Sequence, residues 1–572
     1  MTMPRFGSIF GPHSVRERAH LRDSFGGAVA MTQLVFHTVR HLRPIQIYSR
    51  LTAGLRRSAI DARPAPPLRP QSGAWVPQAP GPVALLDRWR VTFLNEMGDI
   101  SRPWQWNDPA KSKLWLYNLH YFDDLAGPAS ADRAAMQRTF VERWIAENPP
   151  TMGNGWEPYP ISLRVVNWIK WHLGGQRLEA SWQDSIATQV RWLESHLEWH
   201  LLGNHVLANA KALVVAGLCF AGPEAERWLA KGLDIYRHEL GEQILSDGGH
   251  FELSPMYHAI ILNDLLDLLN MSRAFGFECG AFFASLPVLL MRMRQWLSAM
   301  THPDGDISFF NDASFGIAPA TADLERYATR LGLAPVSLLG DGLYRLNASG
   351  YIRVNCGPFC AFLDLAAVGP DYIPGHAHAD SLSFELSIGA ERVIVNGGTS
   401  TYTPSQDRAA QRSTVAHSTV SINGENSSEM WGSFRVARRA QVCDVETIEQ
   451  PERCVISGSH DGYHRLTGRP THRRTWRVDN RTVSVADRII GRGMHNAVAR
   501  FHLGRGVTPA IEPSRRTGRL SMPSGQSLIW STSQPARLED DHWHPEFGQS
   551  VPTSVLVVDF NCGSLETHFK LD

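Results

Sequence analysis

The sequence predicts an α+β multidomain protein, with antiparallel helix pairs in front and an antiparallel β-sandwich behind. Length comes first: 572 residues exceed what one hydrophobic core organises, so two large domains or more are expected. The apolar period comes second. From about Leu85 to Leu333 apolar residues recur at helical spacing, and from near Gly340 they alternate with a period of two. Third, the alternating segments are short and separated by turn residues with no helix between them, which favours a sandwich over a parallel sheet.

Three regions follow: 1–84, 85–338 and 339–572. In the first, Leu34 to Leu55 reads as one or two helices. Seven prolines between Pro64 and Pro82 then exclude helix and ladder alike and leave an extended connector. In the second, Ser130 is the expected N-cap of a helix carrying Met136, Phe140, Trp144 and Ile145, which Pro149-Pro150 stops. Pro160 suits the first turn of the next helix. Further helices are expected over Trp182–Leu202, Val206–Phe220, Pro223–Leu245, Pro255–Phe275 and Phe282–Met300, with Asn204 as an N-cap. Twelve tryptophans from Trp104 to Trp296 supply packing area between helix layers. Trp156, in a glycine-flanked loop, is expected instead as a stacking platform for a sugar ring. In the third region, Tyr351–Val354, Ala361–Leu365, Leu382–Leu386, Arg392–Val395, Thr419–Ile422, Thr482–Val485 and Val555–Val558 are strand-like.

An apolar fraction of 43% and a charged fraction of 20% are those of a globular chain. Lysine plus arginine equals aspartate plus glutamate at 56 each, so no global field favours nucleic acid, although a local basic cleft remains compatible with an acidic polymer. The cysteines are scattered singly, without a disulfide framework or paired CxxC; Cys356 and Cys360 are expected as buried free thiols. No run approaches the roughly 20 apolar residues of a membrane span. Met1 to Ala30 lacks a secretory pattern, so an unexported, soluble chain is expected.

Chemistry-bearing residues cluster in four segments. Gly203-Asn204-His205 opens a helix, where donors and dipole would cradle a carboxylate. Asp247 to His258 places a glycine loop, Glu252 and then Tyr257 just inside the helix that starts at Pro255. Pro374-Gly375-His376-Ala377-His378-Ala379-Asp380 presents two imidazoles, on one side of the chain if it is extended, as metal ligands or proton carriers are presented. Arg412 to Val420 carries His417, and Asn396 ends a strand before Gly397-Gly398. His378 and His417 suit zinc, whereas Asn396 is a poor third ligand because an amide oxygen carries no charge.

Together these segments resemble the heparinase II/III family of polysaccharide lyases, whose relatives include oligoalginate lyases. The matching stretches are Gly203-Asn204-His205, Ser254-Pro255-Met256-Tyr257, Gly375 to Phe384, Asn396-Gly397-Gly398-Thr399 and Ala416 to Val420. The resemblance implies an incomplete (α/α) toroid joined to an antiparallel β-sandwich. It implies Asn204 and His205 on a uronate carboxylate, Tyr257 and His376 handling protons, and His378 with His417 holding a structural zinc. The family's third zinc ligand is usually an aspartate in a Val-Asp-Pro-Gly-like turn, and here it is Asn396. Trp156, Glu252, His258 and Arg412 complete the expected substrate-binding set. Trp156 to Pro160 with Arg164, and Trp115 to Tyr121, resemble a subgroup associated with bacterial exopolysaccharide gene clusters.

The implied reaction is β-elimination on an acidic polysaccharide, loss of a proton at C5 and of the oxygen at C4 of a uronic acid. Two other readings remain. A glycoside hydrolase on the same scaffold needs a pair of carboxylic acids, with Glu157, Asp247, Glu252, Asp304, Asp306 and Asp312 as candidates. A non-catalytic polysaccharide-binding protein of an assembly system would keep the aromatic cleft and tolerate loss of Tyr257 and His376. The motifs encode neither the polymer's identity nor an oligomeric state.

Overall fold

The computed structural model describes residues 25–53, 59–127, 131–561 and 563–572; the expected N-cap Ser130 lies outside them. The described residues begin with the helices α1 (Phe25–Val39) and α2 (Pro44–Ala53). The proline-rich segment that follows is extended and lies over the helices behind it: Arg69 N donates to Cys219 O, Ala221 N to Pro67 O, and Ser72 and Gly73 N both to Ala274 O.

The helical half begins with a hairpin, Arg90–Phe93 paired with Glu96–Asp99, which the helical reading from Leu85 misses. Its two-residue turn is Leu94-Asn95, both at positive φ, and a leucine there is no turn signal. Nine α-helices follow among the described residues: α3 (Lys113–Tyr121), α4 (Ala131–Glu147), α5 (Pro158–Leu173), α6 (Ala180–Ser195), α7 (Gly203–Cys219), α8 (Pro223–Gln243), α9 (Pro255–Ala274), α10 (Ala281–Ala299) and α11 (Thr321–Arg330). Apolar residues cover α7 on all sides, and every residue but His205 is buried, so it forms the inside of the helical toroid. The expected N-cap role of Asn204 is not observed. Leu202, at φ 66°, occupies that position without a side-chain cap, and Asn204 falls in the first turn. By contrast, α9 is capped by Ser254, whose hydroxyl accepts from Tyr257 N at 3.2 Å, with Pro255 at the first position.

The back half is two packed antiparallel sheets. The nine-stranded sheet runs Ala536–Trp543, Val551–Asn561, Asn496–Leu503, Glu391–Val395, Phe384–Ile388, Phe359–Asp364, Tyr351–Cys356 and Gly342–Leu346, with Val420–Ile422 also paired to Asn496–Leu503. The eight-stranded sheet runs Val442–Gln450, Arg453–His460, Thr471–Asp479, Thr482–Ile490, Ser564–Leu571, Ser527–Thr532, Thr517–Ser521 and Thr508–Ile511. Rings from both sheets meet between them, Phe384 with Trp476 and Phe501 with Phe569. Thr471–Asp479 alternates buried and half-buried residues, as a sheet with one face toward water does. Phe359–Asp364 is buried throughout because its other face meets the helices. There Tyr351, Cys360 and Phe362 pack with Leu253, Trp296 and Phe310. This contact seats one rim of the sheet against the N-terminus of α9. No helix among the described residues is long and apolar enough to cross a membrane.

Candidate active site

A cleft of about 1150 Å³ opens between the halves, and Asn204, His205, Tyr257 and His376 all line it. Tyr257 comes from the first turn of α9 and His376 from the short turn Pro374–His376 of the sandwich half. Their rings stack at 3.9 Å between centroids and 15° between planes. Behind them, Glu252 accepts a short hydrogen bond from His376 Nδ1. Burial pushes the Glu252 carboxyl up, but the charge and hydrogen bond of His376 outweigh it and hold it below its usual range. An ionised carboxylate only accepts, so Nδ1 carries a proton, and when the imidazole is neutral its lone pair is on Nε2. The Tyr257 hydroxyl lies 2.9 Å from the Tyr402 hydroxyl. Burial first, then the neighbouring Tyr402, raises Tyr257 well above an ordinary phenol, so it is a neutral proton donor at neutral pH.

Opposite charges hold the second pair of residues. His205 Nδ1 lies 3.1 Å from Glu198 Oε1. Burial alone would lower the imidazole, but the Glu198 carboxylate raises it above its ordinary value. Glu198 is fixed in turn by Asn209, whose side chain donates to Oε2 at 3.0 Å and accepts from the Glu198 amide at 2.9 Å. Asn204 is buried on the cleft wall, and its carbonyl oxygen has no protein partner among the described residues. Gly203 makes the approach possible: it sits at φ +56°, and a Cβ there would meet Glu252 Oε1 and Ile373 Cδ1 at 2.9 Å. Leu202, Leu253 and Asn311 also adopt left-handed backbone beside the site, each at about 1–3 kcal/mol, the local strain that clusters at functional sites.

The rim of the sheet carries a buried chain of polar groups. His417 Nε2 lies 3.2 Å from His378 Nδ1, and His378 Nε2 lies 2.8 Å from Asp312 Oδ1. Arg408 holds Asp312 through both guanidinium arms. Burial works against the Asp312 charge, but Arg408 and His378 overcome it and keep the carboxyl far below its ordinary value. The spacing of the two imidazole nitrogens is that of adjacent ligands on a tetrahedral zinc, whose Zn–N bonds are about 2.0–2.1 Å. Asn396 does not complete such a set. Its oxygen accepts from Ser418 N at 3.2 Å and its nitrogen donates to Phe309 O at 2.9 Å. No further His, Cys, Asp or Glu joins the two imidazoles as a third ligand among the described residues. The donors present do not fit a resident zinc.

Several expected roles change. His376 and His378 do not share a side, because the segment turns rather than extends: His376 meets Glu252 and His378 meets Asp312. Trp156 is no stacking platform; it is buried, stacks on Trp144 and donates to Asn148 O at 3.1 Å. His258 is also buried, paired with Met293 O at 2.9 Å and packed on Trp296. Arg412 binds Ala377 O at 2.9 and 3.1 Å, so it pins the His376 turn rather than a ligand. Glu252 likewise meets His376 rather than the cleft. Glu157, Asp247, Glu252, Asp304, Asp306 and Asp312 are not among the described residues that line the cleft. Tyr402 and Glu198 were missed, and neither has a local sequence signal: each is identified only by a partner brought to it by folding.

The sequence matches the Heparinase II/III N-terminus family over residues 104–329 and the Heparinase II/III-like, C-terminal family over residues 340–570. A heparin-sulfate lyase of Bacteroides stercoris is 26% identical over 312 residues, covering 50% of this chain and 44% of the relative. One of Pedobacter heparinus is 24% identical over 369 residues, covering 60% and 53%. The chain thus spans about half the length of these relatives. The crystal structure of heparinase III superposes with a TM-score of 0.67 at 18% identity, over 83% of this chain and 79% of that one. A mutant of the heparan sulfate lyase HepC from Pedobacter heparinus gives 0.58 at 17% identity, over 92% and 88%. With both halves matched in order, and with the helical and sheet domains these structures share, the chain belongs to the heparinase II/III family.

Proposed function

We propose that this chain is a polysaccharide lyase that cleaves a uronic-acid-containing polysaccharide by β-elimination. The observation that carries the reading is the Tyr257–His376 stack, built from both halves of the chain inside one cleft that also holds Asn204 and His205. The uronate carboxylate would meet the His205 imidazolium and the side-chain NH2 of Asn204, which draw charge from it and make the C5 proton removable. Preorganised donors of this kind contribute about 3–4 kcal/mol each. His376 Nε2 takes that proton, the C5–H electron pair forms the C4–C5 double bond, and the C4–O bond breaks. Tyr257 gives its proton to the departing oxygen, and Tyr402 holds the phenol in place. Both proton carriers stand on one wall, which suits a proton and a leaving oxygen on the same face of the sugar.

The substrate is proposed to be a bacterial exopolysaccharide bearing carboxylates rather than a densely sulfated chain. Six lysine and arginine side chains and five aspartates line the cleft among the described residues. On its floor Lys170 and Lys211 are already paired with Asp267 and Asp264, so few cations remain for sulfates. The test is a panel of uronate polymers incubated with the purified chain, followed by near-ultraviolet absorbance and product mass. Unsaturated ends one water lighter than hydrolysis products are expected. Saturated products would establish a hydrolase, and binding without turnover a carbohydrate-binding protein.

A further inference from the structure

Helices α1 and α2 lie outside both family matches yet are tied to both halves of the protein. Thr38 Oγ1 donates to Val436 O at 3.3 Å, Trp431 Nε1 donates to Thr38 Oγ1 at 3.0 Å, and Gln46 Nε2 donates to Tyr372 O at 3.2 Å and Leu201 O at 3.5 Å. The polarity of α2 is inverted for a helix in water. Its inward face buries Gln46 and Ser49, at 2% and 3% exposure, while Ile45, Ile47, Tyr48 and Leu51 point outward at 41, 42, 63 and 68%. Phe36 on α1 adds another exposed ring at 62%. An amphipathic helix ordinarily turns such residues inward, and a concentration of exposed large apolar side chains marks an interaction surface.

The two helices carry only positive side chains of their own. From Phe25 to Ala53 the sequence has three arginines, Arg40, Arg43 and Arg50, and no aspartate or glutamate, in a chain that is balanced overall. Arg43 is neutralised by Glu242, whereas Arg40 and Arg50 are exposed, Arg50 donating one hydrogen bond to His200 O at 3.2 Å. Exposed aliphatic and aromatic residues edged by arginine are the composition of a helix that lies in an anionic lipid interface. A second copy would set arginine against arginine across the contact.

We propose that α1 and α2 form a docking face for an anionic membrane surface. Because Gln46 and Arg50 of α2 also line the cleft, docking would hold the cleft mouth beside the lipid, where a polymer crossing or leaving the membrane would meet it.

The test is co-sedimentation of the full chain at low salt with vesicles of equal parts phosphatidylcholine and phosphatidylglycerol, and with phosphatidylcholine alone. Preferential binding to the anionic vesicles is expected. The exposed-face variant F36S/Y48S/L51S should lower that partition by roughly tenfold or more, and so should raising salt to about 1 M. Its circular dichroism melt should match the parent chain; if it does not fold, the single substitution Tyr48→Ser gives the same comparison. Absence of binding, equal binding by the variant, or equal binding to neutral vesicles overturns the proposal. So does a parent dimer that the variant abolishes in a chain that ignores vesicles.

Discussion

Substituting Glu252→Gln isolates the carboxylate behind His376 at nearly constant shape. Glu252 is buried and takes the hydrogen bond of His376 Nδ1, so in the parent chain the lone pair of the imidazole belongs to Nε2. A glutamine can donate through its amide, which stabilises the other tautomer and places a hydrogen where the C5 proton should go. A hydrogen bond to a charged group contributes about 1.5–3 kcal/mol, and about 1.4 kcal/mol is a factor of ten in rate. The loss of the charge alone therefore predicts a fall in kcat of about tenfold to somewhat over a hundredfold, and the wrong tautomer adds to it. Because Glu252 reaches the cleft only through His376, KM should change by less than about threefold, well under 1 kcal/mol. Initial rates from absorbance of unsaturated ends, at saturating polymer, measure this, with a thermal melt to show that the fold is kept. A folded Glu252→Gln chain retaining more than half the parent kcat would refute the assignment of His376 as the proton acceptor.

Three further outcomes follow from the same geometry. His205 is raised by Glu198, so its charge is fully present below the ordinary histidine value of about 6.5 and is lost as pH climbs through the raised folded value. KM should therefore rise on the alkaline side and Glu198→Gln should bring that rise to lower pH, whereas a flat KM profile between about pH 6 and 9 removes His205 from carboxylate binding. The substitution Asn396→Asp supplies the charged oxygen that the two imidazoles lack, so added zinc should raise the melting temperature of the variant and leave the parent unchanged; a zinc-dependent melt in the parent would overturn the donor assignment. Trp156→Ala should destabilise the chain by about 3–5 kcal/mol in denaturant titrations while the surviving folded fraction keeps its KM; a raised KM with intact stability would restore the stacking role.

The fold class was legible because burial of one face imposes a period on the sequence, 3.6 in the helical half and two in the sheets. Pro149-Pro150, Pro160, Pro223 and Pro255 then mark helix ends and starts by local chemistry alone, and those helices agree within a few residues, whereas the helix expected over Trp182–Leu202 stops at Ser195. The hairpin at Arg90–Asp99 was illegible because its turn uses Leu94 in a conformation that leucine rarely adopts. In the site, the residues read from the sequence that reach the cleft sit next to a local signal: a glycine before Asn204, a Ser-Pro cap before Tyr257, a Pro-Gly turn before His376. Trp156 was misplaced because its glycine-flanked loop suggests exposure, and His258 and Arg412 because their polar ends do, whereas each finds an internal acceptor and is buried on it. Tyr402 and Glu198 were invisible for a related reason. Tyr402 meets Tyr257 across 145 positions of sequence, and the worth of Glu198 lies entirely in its contact with His205.

The eight-stranded sheet supplies an independent view of the metal question. His460 Nε2 lies 3.3 Å from His472 Nδ1, His472 Nε2 lies 2.7 Å from Asp487 Oδ1, and Arg474 grips both Asp487 oxygens. This repeats, group for group, the order His417, His378, Asp312, Arg408 at the rim of the other sheet. Burial lowers the imidazoles in both chains, and the carboxylates stay ionised beside their arginines. In each, one arginine balances one aspartate and neutral histidines pass hydrogen bonds along, so the buried charge is compensated within the chain itself. Arg474 also binds Leu382 O and Ser418 O, the residues that border the His378 and His417 segments. The two networks therefore brace the same rim from opposite sides. The position of the His376 turn, and with it the stack on Tyr257, is set by an arrangement of protein groups that satisfies its own charges.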